Sequence, residues 1–145
     1  MRTAKNPSTK GQRRRRGAAA VEFAILLPVL TTLLVGIVDF SRLFYYYTIV
    51  SNCARNGALY ASDATAAADS PYHVTNDRAT SVQNAAQADA AGLSQQPTAT
   101  LTEDTSARVA VRVTYQFNLI TSYLGTGPIT LTRTVWMNKA PAVPN

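Results

Sequence analysis

The pattern of apolar and polar positions divides the chain into three kinds of segment. Residues 18–38 are apolar almost throughout, residues 39–61 place apolar side chains every three or four positions, and residues 107–119 alternate with a period of two. The first segment predicts a membrane-spanning helix, because its length at a rise of about 1.5 Å per residue reaches roughly 30 Å. The second pattern predicts an amphipathic helix, and the third predicts a half-buried strand.

The amphipathic helix is predicted to have one apolar stripe. We expect the stripe to cover a sheet on one side, although such a stripe can also serve as a partner surface. Arg42, Tyr46, Asn52 and Arg55 fall largely off it. The predicted members of the stripe are Phe40, Leu43, Phe44, Tyr47, Val50 or Ser51, Ala54, Ala58 and Ala61.

The C-terminal part is predicted to form a small antiparallel sheet. Its central strand lies within residues 107–119, and the stretches TATLTED (98–104) and ITLTRTVWMN (129–138) are its predicted partners. Together they indicate a three-stranded meander packed on the long helix. The core-facing positions of the central strand are Ala107, Val109, Val111, Val113, Tyr115, Phe117 and Leu119.

A second, short helix is predicted before the sheet. Thr75 or Asn76 is the candidate N-cap, and the helix runs to about Ala91, where Gly92 ends it. Val82 is its only large aliphatic residue, so weak packing is expected. The predicted fold class is therefore α+β: a long N-terminal transmembrane helix that continues into an amphipathic helix, then a small domain with a short helix and a three-stranded antiparallel sheet.

The positive charge of the chain is concentrated before Gly17. Of the net charge of +6, seven basic residues and no acid precede Gly17, whereas seven basic and eight acidic residues follow it. Nucleic-acid binding needs clustered cations in the folded part, so no nucleic-acid partner is expected. By the positive-inside rule the N-terminus lies in the cytoplasm and the chain from Asp39 onward is exported.

Glu22 interrupts the apolar run near its start. A carboxylate at the centre of a bilayer costs about 2.5–3.5 kcal/mol on insertion scales, so it persists where something compensates it. Cleavage after Gly17 would free a cationic α-amine at Ala18, one helical turn from Glu22. The amine could then pair with Glu22 of the same chain or of a neighbouring subunit. The alternative is that Glu22 stays solvated in the headgroup zone near the cytoplasmic face.

The stretch GAAAVEF, residues 17–23, resembles the processing site of type IV prepilins. In those proteins a short basic leader ends in Gly and is cut after it, and the mature helix has Glu at its fifth position. Counted from Ala18, Glu22 is the fifth residue. The resemblance implies that Gly17 and Ala18 flank a processing site, that prepilin peptidase is a partner, and that Glu22 sets the register between packed subunits.

Residues 16–61 resemble, more narrowly, the TadE-like minor pilins of the Tad (Flp) tight-adherence pilus system. The matching features are GAAAVEFA, the early proline in LLP, GIVDFSRLF and ARNGALYA, although Leu59 stands where the family typically has a second arginine. The resemblance implies a single-pass inner-membrane minor pilin or pseudopilin with a pilin-like exported domain. Its expected partners are other pilin or pseudopilin subunits and the Tad secretion platform.

The predicted organisation has five parts. Within the transmembrane helix, Pro28 removes one backbone donor and is expected to kink or loosen the helix. The parts are a cytoplasmic, cleaved basic leader (1–17), a transmembrane helix (18–38), an amphipathic extension (39–62), a small exported α+β domain (63–138) and a disordered tail (139–145).

The sequence offers little for catalysis or metal binding. His73 is the only histidine and Cys53 the only cysteine, and neither a Gly-rich phosphate loop nor a GxSxG motif is present. We therefore expect no enzyme activity, cofactor, metal ion or small-molecule substrate. Cys53 is expected to be a buried free thiol rather than an intermolecular bridge, and His73 to be solvated.

Two other interpretations remain open on the sequence. An uncleaved signal anchor could tether a periplasmic binding module, in which case the sheet within residues 108–138 binds a ligand and Gly17 is replaceable. An ordinary secretory signal peptide could instead release a soluble domain, but the apolar run ends in DFSRLFYYY rather than in a small-x-small cleavage site. The mature N-terminus distinguishes the three interpretations.

Overall fold

The computed structural model describes residues 10–63, 67–121 and 127–140, with the backbone alone for residues 10–16. The contacts divide the chain into two units, Met1–Val38 and Asp39–Asn145. The described elements are helix α1 (Lys10–Ser62), helix α2 (Arg78–Gln87), a 3₁₀ turn (Ala90–Gly92), and strands β1 (Thr98–Asp104), β2 (Arg108–Phe117) and β3 (Ile129–Asn138).

The first unit contains the apolar part of α1. From Gly17 onward, α1 is long and apolar enough to cross a membrane, with a window of mean hydropathy 2.4 in which no residue is buried. Thr31 and Thr32 donate their hydroxyl hydrogens to the carbonyl oxygens of Leu27 and Pro28, each at 2.8 Å, so these polar groups are satisfied within the helix. Pro28 lies inside α1, which is helical on both sides of it. An apolar surface that no other described residue covers is typical of a membrane anchor.

The second unit is built on a three-stranded antiparallel sheet in the order β1-β2-β3. The predicted meander and the α+β class are confirmed, and the bounds of β1 and β3 coincide with the predicted partner stretches. β1 contains one irregularity, where the register shifts between Leu101 and Glu103. Five predicted core positions of β2 are buried, whereas Ala107 is exposed and Leu119 is half-buried.

The core lies between the sheet and the helices. α1 contributes Val50, Cys53, Ala54 and Ala58, all fully buried. α2 contributes Val82 and Ala86, and the sheet contributes mainly valines of β2. Because the α1 side chains here are small, the helix backbone can approach the sheet closely, and this closeness sets the thickness of the core.

The predicted apolar stripe of α1 is right in its second half and wrong at its start. Phe40 and Phe44 are 71% and 65% exposed. Tyr46, predicted to lie off the stripe, instead packs with its ring centroid 5.3 Å from Phe117 and 5.7 Å from Tyr115. At the start of the stripe, the buried face of α1 therefore includes Tyr46 instead of Phe40 and Phe44. The reason is that Tyr46 packs on the aromatic end of β2, a partner that the helix period alone does not reveal.

The start of α2 differs from the prediction by one or two residues. Its N-cap is Asp77, whose carboxylate accepts the backbone N–H of Thr80 at 2.9 Å, rather than Thr75 or Asn76. Asn76 has a φ of 62°, in the left-handed region, and turns the chain into the helix. The helix ends at Gln87, and the 3₁₀ turn continues to Gly92. The hydrogen bond from Thr80 to the Asp77 carboxylate therefore fixes the N-cap directly after the turn at Asn76.

Polar side chains attach α2 to its neighbours more firmly than its composition indicated. Gln83 donates to the carbonyl of Pro97 at 2.9 Å and accepts the backbone N–H of Ala99, which connects α2 to the start of β1. Arg78 donates to the carbonyl of Ala61 at 2.7 Å and pairs with Asp104 at 3.0 Å. Because α2 has only one large aliphatic residue, these hydrogen bonds and the ion pair supply much of the interaction that holds α2 in place.

The first two residues of the predicted tail have backbone partners. The N–H of Lys139 donates to the carbonyl of Ala107 at 2.9 Å, and the N–H of Ala140 donates to the carbonyl of Ser62 at 3.0 Å. The remaining tail residues, 141–145, lie outside the described part of the chain, as do residues 1–9 of the predicted leader.

Gly57 is the point of closest approach between α1, α2 and the sheet. A Cβ atom at this position would lie 3.1 Å from Val111 Cγ1 and 3.2 Å from Ala86 Cβ. Both neighbours are core atoms with little room to move. Glycine is disfavoured by about 1 kcal/mol in a helix interior, so its presence here is explained by packing.

We predict that Gly57→Val destabilises the second unit by about 1–3 kcal/mol through overpacking, even though valine has the higher helix propensity. The midpoint of thermal unfolding of the detergent-solubilised full chain, followed by circular dichroism, measures the effect. Gly36→Val is the matched control, since nothing lies within 4 Å of a Cβ at that position. Equal midpoints for the two variants would contradict the packing argument.

Candidate functional site

The residues predicted for processing (Gly17, Ala18), for subunit register (Glu22) and for a helix kink (Pro28) all lie on α1. Gly17, Ala18, Glu22 and Pro28 are exposed and helical. α1 begins at Lys10, so the bond between Gly17 and Ala18 lies inside the helix rather than before it. Among the described atoms, none lies within 4 Å of a Cβ built on Gly17. The segment is sterically open, and its helical backbone would have to unwind locally before a protease could cut it.

The Glu22 carboxylate has no hydrogen bond or ion pair with any group that the structure describes, which leaves out the side chains of residues 10–16. It sits one turn beyond Ala18, and its apolar neighbours Val21 and Phe23 are 61% and 60% exposed. A carboxylate in an apolar helix surface needs a partner if lipid surrounds it. Outside the described groups of this chain, such a partner can come from solvent, from another chain or from a group created at Ala18.

A second acidic residue of α1, Asp39, is fully partnered. It is 3% exposed, although it is charged. Its Oδ1 accepts the backbone N–H of Ile120 at 2.8 Å, and its Oδ2 accepts both the backbone N–H and the hydroxyl of Thr121 at 2.9 Å. Asp39 therefore fixes the chain just after β2 to the beginning of the second unit, a contact between residues far apart in sequence.

Arg42 completes the surroundings of Asp39. Its Nη1 lies 3.3 Å from Asp39 Oδ1, and its guanidinium carbon lies 5.3 Å from the ring centroid of Phe117 and 5.9 Å from that of Tyr46. Burial by itself raises the pKa of Asp39, but the hydrogen bonds from Ile120 and Thr121 and the charge of Arg42 outweigh it. The pKa of Asp39 consequently lies below its ordinary value.

Asp39 is the structural residue that the sequence analysis did not single out. In the sequence, Asp39 stands out only as the first residue after the apolar run, within the GIVDFSRLF stretch. The available signal was a lone acid directly after an apolar segment, with a basic residue three positions on, a spacing that pairs side chains on a helix. Its two backbone donors come from residues far along the chain, and no local pattern identifies them.

Cys53 is a buried free thiol, as predicted. Burial, with a smaller contribution from the nearby Asp89 carboxylate, raises the pKa of the Cys53 thiol to about 11. The thiol stays protonated at neutral pH and is a poor nucleophile. Among the described residues, no three His, Cys, Asp or Glu side chains lie close enough together to hold a metal ion.

An open cleft of about 670 Å³ lies on the helical side of the second unit. Its walls include Leu59 and Tyr60 of α1, Asp89 and Lys139. Asn56 donates to Asp89 at 2.8 Å across part of it. Leu59 is the position where the resembling family typically has a second arginine, and here it is 48% exposed. The wall of the cleft therefore presents an alkyl group where that family would present a cation.

We predict that Asp39→Asn lowers the unfolding midpoint and that the loss depends on pH. The folded-state pKa of Asp39 is below its unfolded value, so the carboxylate stabilises the fold above about pH 4 and this contribution disappears as pH falls through the folded pKa. The difference between wild type and Asp39→Asn should be full at neutral pH and shrink below about pH 4. Thermal unfolding at several pH values measures it.

Asp69→Asn provides the control for this comparison, because Asp69 is an exposed turn residue. It should unfold like the wild type across the same pH range. A pH-independent difference for Asp39→Asn would contradict the proposed role of the carboxylate charge.

Comparison with known proteins gives one match. Residues 17–59 match the family model described as TadE-like protein. The matched segment contains Gly17, Ala18, Glu22 and Pro28 as well as Asp39 and Gly57. No curated protein and no solved structure matches the chain. Residues 17–59, less than a third of the chain, are therefore similar to the TadE-like family.

Proposed function

We propose that this chain is a minor pilin or pseudopilin-like assembly component of a Tad (Flp) pilus, processed by prepilin peptidase between Gly17 and Ala18. The observation that carries the proposal is Glu22, an acid without a described partner on an unburied apolar helix, inside the TadE-like segment. The proposed role of the chain is structural, and the chain interacts with other subunits rather than with a substrate.

Processing after Gly17 would change the electrostatics around Glu22. In the unprocessed chain Glu22 lies well inside α1, which starts at Lys10. In the processed chain Ala18 becomes the helix N-terminus, where the free amine and the first unpaired N–H groups attract an anion. Four residues of helix rise about 6 Å, so the amine lies one turn from Glu22 of its own chain and is equally able to reach that of a neighbour.

Pairing between neighbours would set an axial register. If the amine of one subunit meets Glu22 of the next, the two helices are offset by a fixed number of residues. Small residues at the helix start, Ala18, Ala19 and Ala20, permit the close approach that this pairing needs. Gly36 provides a second small position near the other end of the segment.

Gly17 suits the processing step for two physical reasons. Glycine costs about 1 kcal/mol relative to alanine inside a helix, so unwinding at the scissile bond is easier there than at the non-glycine positions next to it. The absence of neighbours within 4 Å of its Cβ position among the described residues leaves room for a protease backbone to approach.

The proposed location is the inner membrane, with the second unit on the periplasmic side until assembly. The apolar helix supports membrane anchoring, and the seven basic residues before Gly17 support a cytoplasmic N-terminus. The proposed partners are prepilin peptidase, other pilin or pseudopilin subunits and the Tad secretion platform, with residues 18–38 as the segment through which subunits pack.

We predict that Gly17→Leu blocks processing when the chain is expressed with its prepilin peptidase. A branched side chain at the scissile position should keep the bond helical and obstruct the peptidase. Intact-protein mass spectrometry of the membrane fraction distinguishes a start at Ala18 from a start at Met1. Gly36→Leu is the matched control, since it also adds a leucine to an open position of the same helix.

The same measurement separates this proposal from its rivals. A wild-type start at Ala18, lost in Gly17→Leu and kept in Gly36→Leu, supports processing at Gly17. Wild-type protein that retains Met1 in its native host contradicts it and favours an uncleaved anchor. A start well beyond Val38 contradicts it as well and favours a secretory signal peptide.

We further predict that Glu22→Gln lowers incorporation into pili while membrane insertion is unchanged. The amide keeps the shape of the side chain but removes the charge that would pair with the Ala18 amine. The ratio of the protein in sheared pili to that in the membrane fraction measures the effect, and a drop of about tenfold is expected for the loss of one ion pair away from water.

Thr31→Val controls for the loss of a polar group in the same segment. The Thr31 hydroxyl is already satisfied by Leu27 within its own helix, so its removal should leave the ratio unchanged. If Glu22→Gln and Thr31→Val gave the same ratio as wild type, the register role of Glu22 would be wrong.

A further inference from the structure

The outer face of the sheet, directed away from the core, is almost entirely polar. It comprises the alternate residues of β2 from Arg108 to Gln116 and the residues that pair with them on β1 and β3. Its middle is a ladder of hydroxyl groups. The threonines of this face are Thr98, Thr100, Thr114, Thr130, Thr132 and Thr134.

The hydroxyl groups of this face are held in fixed directions. Thr100 donates to the carbonyl of Arg112 at 3.3 Å, and Thr130 donates to the side chain of Gln116 at 3.3 Å. The hydroxyl hydrogens of Thr100, Thr114 and Thr130 are thus used within the sheet, which leaves the oxygen lone pairs of these residues able to accept a hydrogen bond from a ligand. The face therefore offers ordered acceptors for a ligand that is rich in hydroxyl donors.

Trp136 is the one large apolar side chain on this face. It is 61% exposed, and it pairs across the strands with Ala110, which is 1% exposed. Because the alanine opposite is small, the indole is not crowded by its cross-strand neighbour. It is also the only tryptophan in the chain. The indole is therefore accessible to an external ligand.

Arg112 supplies a cation beside the indole. It lies diagonally across from Trp136, at a spacing of about 7–8 Å that long side chains can bridge. Its Nε donates to Thr134 at 3.4 Å, and it forms no salt bridge with any residue in the described ranges. Arg108, by contrast, is paired with Glu103. Arg112 is thus the cation of this face that is open to an external anion.

The composition of the face favours a carbohydrate over a protein. The centre of a protein interface is usually enriched in apolar side chains, whereas here a single indole lies between Thr134 and Asn138 along β3 and diagonal to Arg108 and Arg112 of β2. A pyranose ring matches this surface, since its axial C–H face packs on an aromatic ring and its hydroxyls donate to fixed oxygen acceptors. A carboxylated sugar would in addition pair with the Arg112 guanidinium.

We propose that the outer face of the sheet binds an acidic polysaccharide, with Trp136 stacking on a sugar ring and Arg112 pairing with a carboxylate. This binding surface is independent of processing at Gly17 and of assembly through residues 18–38. It gives the second unit a ligand of its own.

The test uses the full chain in detergent and two matched probes. One is an oligogalacturonate, a linear chain of carboxylated sugars, and the other is its fully methyl-esterified counterpart of equal length, which has no charge. Trp136 is the sole source of tryptophan emission, so titration with each probe followed by fluorescence reports directly on stacking.

Wild-type protein should bind the carboxylated probe more tightly than the ester, and the preference should decrease with added salt. Trp136→Ala, followed by biolayer interferometry, should weaken binding of both probes by at least about tenfold, as for a central aromatic contact. Arg112→Ala should weaken binding of the carboxylated probe alone. Phe44→Ala is the control for an exposed aromatic elsewhere, because Phe44 is 65% exposed on α1.

Several outcomes would overturn the proposal. They are an absence of binding by wild-type protein at millimolar probe, equal losses in Trp136→Ala and Phe44→Ala, or an Arg112→Ala effect of the same size on both probes. A concentration-dependent dimer that Trp136→Ala abolishes, seen without probe in sedimentation velocity, would also overturn it, since the face would then be an interface between two copies. Circular dichroism of each variant confirms that the fold is kept.

Discussion

The second unit depends on one buried carboxylate, that of Asp39. Its oxygens accept three hydrogen bonds from Ile120 and Thr121, which hold the chain after β2 against α1. A charged group at 3% exposure is stable only when such donors replace water. Because Asp39 adjoins the aromatic contacts of Tyr46 with Tyr115 and Phe117, the same interaction fixes which face of α1 is buried.

The two acids of the TadE-like segment, Glu22 and Asp39, differ in what compensates their charge. Asp39 is desolvated by its own fold, which supplies all of its partners. Glu22 is placed on an apolar helix surface, and none of the described residues pairs with it. A polar group that the chain itself does not satisfy is a candidate for an intermolecular contact. This contrast is the physical basis for assigning a structural role to Asp39 and an assembly role to Glu22.

The core shows how a small unit packs with few large side chains. Alanines, Cys53 and Gly57 line the buried face of α1, so the helix can lie close to the valines of β2. Cys53 serves there as a small apolar residue, since its thiol stays protonated. The opposite face of the sheet is polar, with the single exposed indole of Trp136, and is accessible to a ligand.

The sequence by itself determined the elements and the candidate processing segment. The change of period from about 3.6 to two located the strands, since the pleat itself imposes alternation. The GAAAVEF stretch located Gly17, Ala18 and Glu22. The tertiary structure decided which face of α1 is buried, the cap at Asp77 and the partners of Asp39. These depend on contacts with residues distant in sequence, such as Ile120, and a local pattern contains no information about distant donors or about the shape of a facing surface.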